Sequence, residues 1–235
     1  MAKVFVVIPT YNESKNLPIL VDRIFTLRIP ELECVVVDDN SPDGTGDVAD
    51  ELAQRYPLRV LHRNGKQGLG TAYIHAFKEV LANAPLDSLV IQMDADLSHE
   101  ALAIPQLLSA ALRYDVVLGS RYIEGGGIKE WNFLRRLISR FGNVYARIVL
   151  GLPYHDLTGG FKCFRKEALA GLDLDSFSSL GYNFQIETTY RCHKRGYRIG
   201  EIPIVFTERT TGSSKFNLSI IVESFLRVVL IRFRR

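Results

Sequence analysis

Through residue 120 the chain alternates between short runs that are apolar at nearly every position and longer segments in which apolar residues return every three or four places. The runs Lys3–Ile8, Cys34–Val37, Arg59–Leu61, Leu89–Met93 and Asp115–Gly119 predict five buried strands. Between them, Lys15–Leu27 places Leu17, Leu20, Val21, Ile24 and Phe25 on one helical face, and Thr45–Tyr56 is closed by Pro57. Thr71–Leu81 and Ala101–Leu112 complete four predicted helices. Strands without a polar face, separated by helices, predict an α/β fold with a parallel sheet covered on both sides. Ligands of such sheets bind beyond the carboxyl ends of the strands. The polar loops PTYNES, DDNSPDGT, RNGKQGLG, DADLSH and SRY fall there.

After Tyr122 the pattern loosens. Glu124–Lys129 (EGGGIK) reads as a flexible loop and Phe133–Leu150 as a basic amphipathic helix. The segment HDLTGGFKCFR, a helix near Phe184–Arg195, a short strand pair around Ile199–Thr207 and an apolar helix from Leu218 follow. With no repeat or low-complexity linker, one domain over residues 1–217 and an appended helix over 218–235 is the economical division.

The net charge of +3 does not point to a nucleic-acid partner, but its distribution is uneven. Arg121 to Arg147 carries six basic residues against two glutamates, and Arg209 to Arg235 carries six against one. A basic half beside acidic loops suits an anionic ligand or a membrane surface. Cys34, Cys163 and Cys192 are far apart and odd in number, which predicts reduced thiols in a cytosolic compartment. The start has no signal-peptide pattern, and no run reaches the roughly 18 apolar residues of a spanning helix, so the expectation is a protein neither exported nor membrane-spanning.

The chemistry centres on VIQMDADLSHE, where an apolar strand ends in Asp94 and Asp96. Like charges so close destabilise each other unless a cation lies between them. Oxygen ligands with open positions suit a hard divalent ion shared with phosphates. Asp38 and Asp39, in a turn-forming DDNSPDGT, share that sheet edge and can read the donors of a ribose or base. Gly65–Gly70 (GKQGLG) matches neither phosphate-loop pattern and follows the third strand, so it is expected to turn tightly into a helix. His99 is expected to hydrogen-bond rather than ligate, His155 stays open, and Glu187 faces either a sugar or solvent. In Leu218–Phe233 a narrow stripe of Ser219, Glu223 and Arg227 opposes a wide apolar face, and Arg232, Arg234 and Arg235 close it. That combination suits an anionic bilayer interface, with packing on the domain or on a membrane-anchoring subunit as the alternatives.

VIPTYNE, VVDDNSPDGT, MDADLSH, GSRY, TGGFKCFR and ERTTGSSKF, in that order, resemble the inverting nucleotide-sugar glycosyltransferases of the GT-A (Rossmann-like) fold. More narrowly they resemble the dolichyl-phosphate (polyprenyl-phosphate) mannose synthases, over essentially the whole chain. The resemblance implies a metal-dependent, inverting transfer of mannose from GDP-mannose to a polyprenyl or dolichyl monophosphate, on the cytoplasmic face of a membrane. It makes residues 1–121 the nucleotide-sugar half and 122–217 the acceptor half. It implies that Pro9, Tyr11, Glu13, Val37, Asp39, Asp94 and Ala95 line the guanine–ribose pocket and that Asp96 holds Mg2+ or Mn2+ on the donor diphosphate. Arg121, Arg135, Arg209 and Lys215 would meet donor or acceptor phosphates, Arg121 and Arg135 on the acceptor side. Where some relatives carry Gln as a further ligand this chain has Ser98, so the implied metal set is Asp94, Asp96 and Ser98, with water able to replace the short hydroxyl. Asp96 and Arg121 would be catalytic. Two alternatives stay open: a synthase of the same kind using UDP-glucose or another sugar nucleotide, and a nucleotide-sugar-binding protein without turnover.

Overall fold

The computed structural model describes residues 2–179, 181, 183–208 and 218–233. The first half follows the expected alternation: β1 (Val4–Thr10), α1 (Asn16–Thr26), β2 (Leu32–Asp38), α2 (Thr45–Ala53), β3 (Leu58–His62), α3 (Leu69–Asn83), β4 (Leu89–Gln92), α4 (Ile104–Ala110) and β5 (Val116–Ser120). Then come β6 (Gly127–Ile128), α5 (Phe133–Leu150), β7 (Lys162–Arg165), α6 (Lys166–Ala170), α7 (Asn183–Lys194), β8 (Ile199–Pro203), β9 (Val205–Phe206) and α8 (Leu218–Phe233).

Seven strands form one sheet in the order β3-β2-β1-β4-β7-β5-β8. The two-residue period of a strand sends alternate side chains to opposite faces. Val4, Val6 and Ile8 therefore pack with α1, α2 and α4, while Phe5 and Val7 pack with α3, α6 and α7. A third apolar cluster joins Ala146 and Leu150 of α5, Ile186 and Tyr190 of α7, and Val228 and Ile231 of α8. Because β4 returns to the far side of β1, the loops after β1 and β4 diverge and open a crevice at their carboxyl ends.

Three expectations are corrected. The sheet is mostly parallel, as the fold class implies, but it contains a strand that the sequence does not predict: β7 runs antiparallel to both β4 and β5. Its sequence KCFR does not read as a buried strand because two of its four residues are cationic, yet Lys162 is only 1% exposed. The EGGGIK loop contains a strand: β6 pairs with β9, whereas β8 pairs with β5, so β8 and β9 do not pair with each other.

Candidate active site

At the end of β4, Met93 is still in the core and the chain then reverses. Leu97 takes a left-handed conformation, φ 63°, which is unusual for a side chain of that size. The Asp96 carboxylate holds this turn by accepting the Ser98 backbone N–H at 3.1 Å and the Ser98 hydroxyl at 2.5 Å. Ser98 is fully buried and so orients Asp96. One oxygen of Asp94 accepts from the buried Tyr73 hydroxyl at 3.0 Å. The other oxygen lies over Gly160, where a Cβ would come within 3.0 Å of it. The glycine in TGGF is therefore a space into which Asp94 fits.

His99 accepts the Asp94 backbone N–H at Nδ1, 3.3 Å away, and its ring lies against Phe161 and Phe206. Burial lowers its pKa although Asp94 and Asp96 pull the other way, so the ring is neutral and serves as an acceptor. Burial, reinforced by the Asp94 charge, raises the Tyr73 pKa and keeps that hydroxyl a donor.

Beyond β1 and β2 the two loops are knitted together. Asp38 accepts from the Thr10 and Ser41 hydroxyls and the Ser41 N–H, so it serves the turn. The Glu13 N–H donates to Thr45, and its carboxylate accepts from the Asn16 amide at 2.7 Å. Asp39 forms a buried ion pair with Arg63 at 2.7 Å and accepts the Gln67 N–H. Arg63 also donates to Gln67 and Thr71, which clamps the glycine loop beneath Asp39. Lys66 from that loop lies 3.7 Å above the Tyr11 ring. Gly70 serves packing, because a Cβ there would meet the Ser179 carbonyl at 2.8 Å. Pro9 and Tyr11 remain partly open at this edge. Val37 and Ala95 have their side chains in the core, leaving only their backbones to a ligand.

On the other side of Asp94, Arg121 follows β5. Its guanidinium donates to both Asp156 oxygens, at 2.7 and 2.8 Å, and to Thr158. Burial raises the Asp156 pKa, but Arg121 outweighs it and the net shift is downward, so the pair is ionised. Asn143 of α5 accepts the Leu157 and Thr158 N–H groups, tying this segment to the helix. Arg135 pairs with Glu208 and lies 4.1 Å above Trp131, whose indole N–H is buried without a partner among the described residues. Arg209 and Lys215 lie outside the described residues.

Glu187 is not a surface carboxylate. It is buried, pairs with Arg191 and accepts the Ser179 N–H, so it fixes the segment before α7. His155 pairs with Glu201 at the surface. All three thiols are buried and free, and burial raises those of Cys163 and Cys192 to about 12.

The donor set at β4 fits a divalent cation held jointly with a ligand. Among the described residues no group of three or more His, Cys, Asp or Glu side chains gathers to hold a metal alone. Two hard carboxylates at one strand end leave the remaining coordination to phosphate oxygens and water. Tyr73, Arg63 and Asp156 escaped the sequence reading. Each is separated by more than twenty residues from the carboxylate or guanidinium it holds, so no local spacing reveals it.

A family model described as glycosyl transferase family 2 matches residues 5–172. The polyprenol monophosphomannose synthase of Mycolicibacterium smegmatis is 43% identical over 229 residues, 96% of this chain and 85% of that protein. The undecaprenyl-phosphate mannosyltransferase of Micrococcus luteus is also 43% identical, over 96% of this chain and 92% of its own length. Among solved structures, glucosyl-3-phosphoglycerate synthase from Mycobacterium tuberculosis, in complex with Mn2+, UDP and glucosyl-3-phosphoglycerate, superposes with a TM-score of 0.69. It shares 19% identity over 98% of this chain and 78% of that one, a likeness of fold.

Proposed function

The chain belongs to glycosyl transferase family 2, and from that premise we propose that it transfers mannose from GDP-mannose to a polyprenyl monophosphate at a membrane surface. The observation that carries this reading is the position of Arg121. It is near enough to Asp94 for their charges to interact, and it also lines an apolar groove bordered by arginines. An acidic, cation-ready edge thus adjoins a basic and greasy one, as a sugar diphosphate donor and a lipid phosphate acceptor require.

In the reaction an acceptor phosphate oxygen forms a bond to C1 of mannose as the bond from C1 to the diphosphate breaks, with inversion. The acceptor, with a second pKa of about 6, is largely dianionic at neutral pH and needs no strong base. That agrees with a neutral His99 engaged on backbone. Asp94 and Asp96 would hold Mg2+ or Mn2+, which supplies countercharge for the departing GDP. Asp39, Tyr11 and Glu13 face the nucleoside side. Arg121 and the cations beyond it offset repulsion between the two phosphates.

No helix among the described residues is long and apolar enough to cross a membrane. Contact with the lipid is made from the surface, through α5 and α8. The test is a panel of radiolabelled sugar nucleotides, GDP-mannose and UDP-glucose among them, offered with polyprenyl phosphate and followed by lipid extraction. Label should enter the lipid from GDP-mannose. Transfer from UDP-glucose alone would move the donor assignment, and donor binding without transfer would make the chain a nucleotide-sugar-binding protein.

A further inference from the structure

Inside Asp94 the core is not wholly apolar. Gln92 of β4 and Lys162 of β7 stand opposite each other in the sheet and are 0% and 1% exposed. Val90 and Phe164, two places along the same strands, belong to the apolar layer covered by α3 and α7. The period of a strand puts Gln92 and Lys162 on that same face. Just beyond these strand ends Asp94 lies over Gly160, so the Gln92–Lys162 pair is the next rung inward from the carboxylate.

The first turn of α7 closes on this rung. Lys162 donates to the Gln185 backbone carbonyl at 2.6 Å and to the Thr189 hydroxyl at 2.9 Å. The Gln92 amide donates to the Gln185 side-chain oxygen at 2.5 Å and also interacts with the Tyr73 hydroxyl. Tyr73 in turn donates to Asp94. Phe184, next to Gln185, stacks on the Tyr73 ring with the two planes 2° apart. One turn of α7 thus holds the ring directly and reaches its hydroxyl through two glutamines.

These glutamines are costly. The Gln92 side-chain oxygen and the Gln185 amide nitrogen are buried without a partner among the described residues. Unpaired amide groups in an apolar layer lower stability, and methionine would fill the same space without that loss. Packing therefore does not account for them. The direction of their hydrogen bonds, from Gln185 to Gln92 to Tyr73 and so to Asp94, does.

We propose that Gln185 is a positioning residue for the transfer reaction: by holding the Gln92 amide it keeps the Tyr73 hydroxyl aimed at Asp94, and so sets the angle at which that carboxylate meets the donor's divalent cation. The proposal rests on the metal-dependent transfer proposed for this chain. The angle matters because Mg2+ accepts little departure from octahedral geometry. Groups that hydrogen-bond a metal-binding side chain are worth roughly 10–100-fold in affinity or activity.

Gln185→Met removes the acceptor and keeps the length of the side chain. Gln185→Glu keeps an acceptor oxygen whether or not it carries its proton. Mn2+ binding in the presence of GDP, followed by the electron paramagnetic resonance of free Mn2+, reads the site without turnover. Gln185→Met should weaken that binding about five-fold and lower kcat about ten-fold, with the acceptor KM within about two-fold of wild type. Gln185→Glu should restore both to within about three-fold of wild type. Because Gln185 acts through the Tyr73 hydroxyl, Tyr73→Phe/Gln185→Met should lose no more than Tyr73→Phe alone, within about two-fold. Where Gln185→Met does not fold in urea titration, Gln92→Met cuts the same link from β4 and carries the same expectations. Mn2+ binding equal to wild type, or losses that multiply in the double variant, overturns the proposal, as does a wild-type protein that binds no Mn2+ with GDP. A wild-type protein that binds GDP and Mn2+ but transfers mannose to no prenyl phosphate overturns the transfer reading instead, and the Mn2+ titrations still decide whether Gln185 positions Asp94.

Discussion

The Tyr73 hydroxyl, fully buried on α3, donates to Asp94 at 3.0 Å from within the sheet's cover. The ring is held in place by parallel stacking on Phe184 and by Phe77, so the hydroxyl has one direction in which to point. A hydrogen bond to a charged acceptor contributes about 1.5–3 kcal/mol and fixes the carboxylate's angle as well. Tyr73 is therefore a positioning residue. Tyr73→Phe keeps the ring and removes the hydroxyl. It should lower kcat about ten-fold and raise several-fold the Mn2+ concentration giving half-maximal rate. The acceptor KM should stay unchanged. If the Mn2+ dependence is unmoved, Tyr73 supports only the core.

The pair of Arg121 and Asp156 is almost wholly removed from water, with side chains 6% and 0% exposed. Removing one partner leaves an uncompensated buried charge, at a cost of about 3–5 kcal/mol. Asp156→Asn should thus destabilise strongly in urea titration. The Asp156 pKa is depressed in the folded state, so its contribution is complete above the ordinary carboxylate value and is lost as pH falls through the folded one. Wild-type stability should fall more steeply on acidification than that of the Asn variant. Parallel acid profiles would show that the charge of Asp156 does not matter.

Apolar runs such as CVVV and the long spacing of Phe133–Leu150 made most elements legible, because strand and helix periods are local properties. The acidic strand end was legible for the same reason: polarity changes abruptly at Asp94. What escaped was set by partners distant in the chain. Lys162 disguised β7, since a lysine in a short run reads as exposed until Gln185 and Thr189 are seen to receive its ammonium. Once β7 is inserted between β4 and β5, the segment before it brings Asp156 to Arg121, and Gly160 beneath Asp94. No periodicity encodes those meetings. The role of α8 was half legible: its apolar character was plain, but Val228 and Ile231 turn inward rather than toward lipid.

Lys162 gives a pH signature of its own. Burial lowers its pKa from 10.5 to about 7, while the unfolded chain keeps the ordinary value. Between those values the unfolded state binds a proton that the folded state does not, so stability rises with pH, by at most about 1.4 kcal/mol per pH unit. The window from pH 7 to 8 shows this effect best, since exposed thiols of the unfolded chain, with an ordinary pKa of about 8.5, are still mostly protonated there. Urea midpoints should climb across that window. Lys162→Met should flatten the climb while lowering stability overall, because the Gln185 carbonyl loses its donor. A wild-type midpoint that is level across the window would mean that the ammonium is not penalised by its burial.

The last helix has two faces with different work. Val228 and Ile231 pack on α5 and α7, Arg227 donates to the Ser178 carbonyl and Arg232 to that of Leu150, and the Tyr145 hydroxyl reaches the Phe225 carbonyl. Truncation after Asn217 would strip cover from Ala146, Leu150, Ile186 and Tyr190, so it should lower the melting temperature and does not isolate a membrane role. Leu226, Leu230 and Phe233 point outward instead, 63%, 66% and 76% exposed. They are exposed apolar side chains on a helix that packs against α5, and each offers roughly 1.5–3 kcal/mol if fully buried in the acyl boundary. Leu230→Glu/Phe233→Glu should leave urea stability within roughly 0.5 kcal/mol, as surface changes usually do. Co-sedimentation with anionic vesicles should fall at least ten-fold, and activity should fall on long polyprenyl phosphates more than on farnesyl phosphate in micelles. Vesicle binding equal to wild type would remove α8 from the membrane contact and leave it as a packing helix alone.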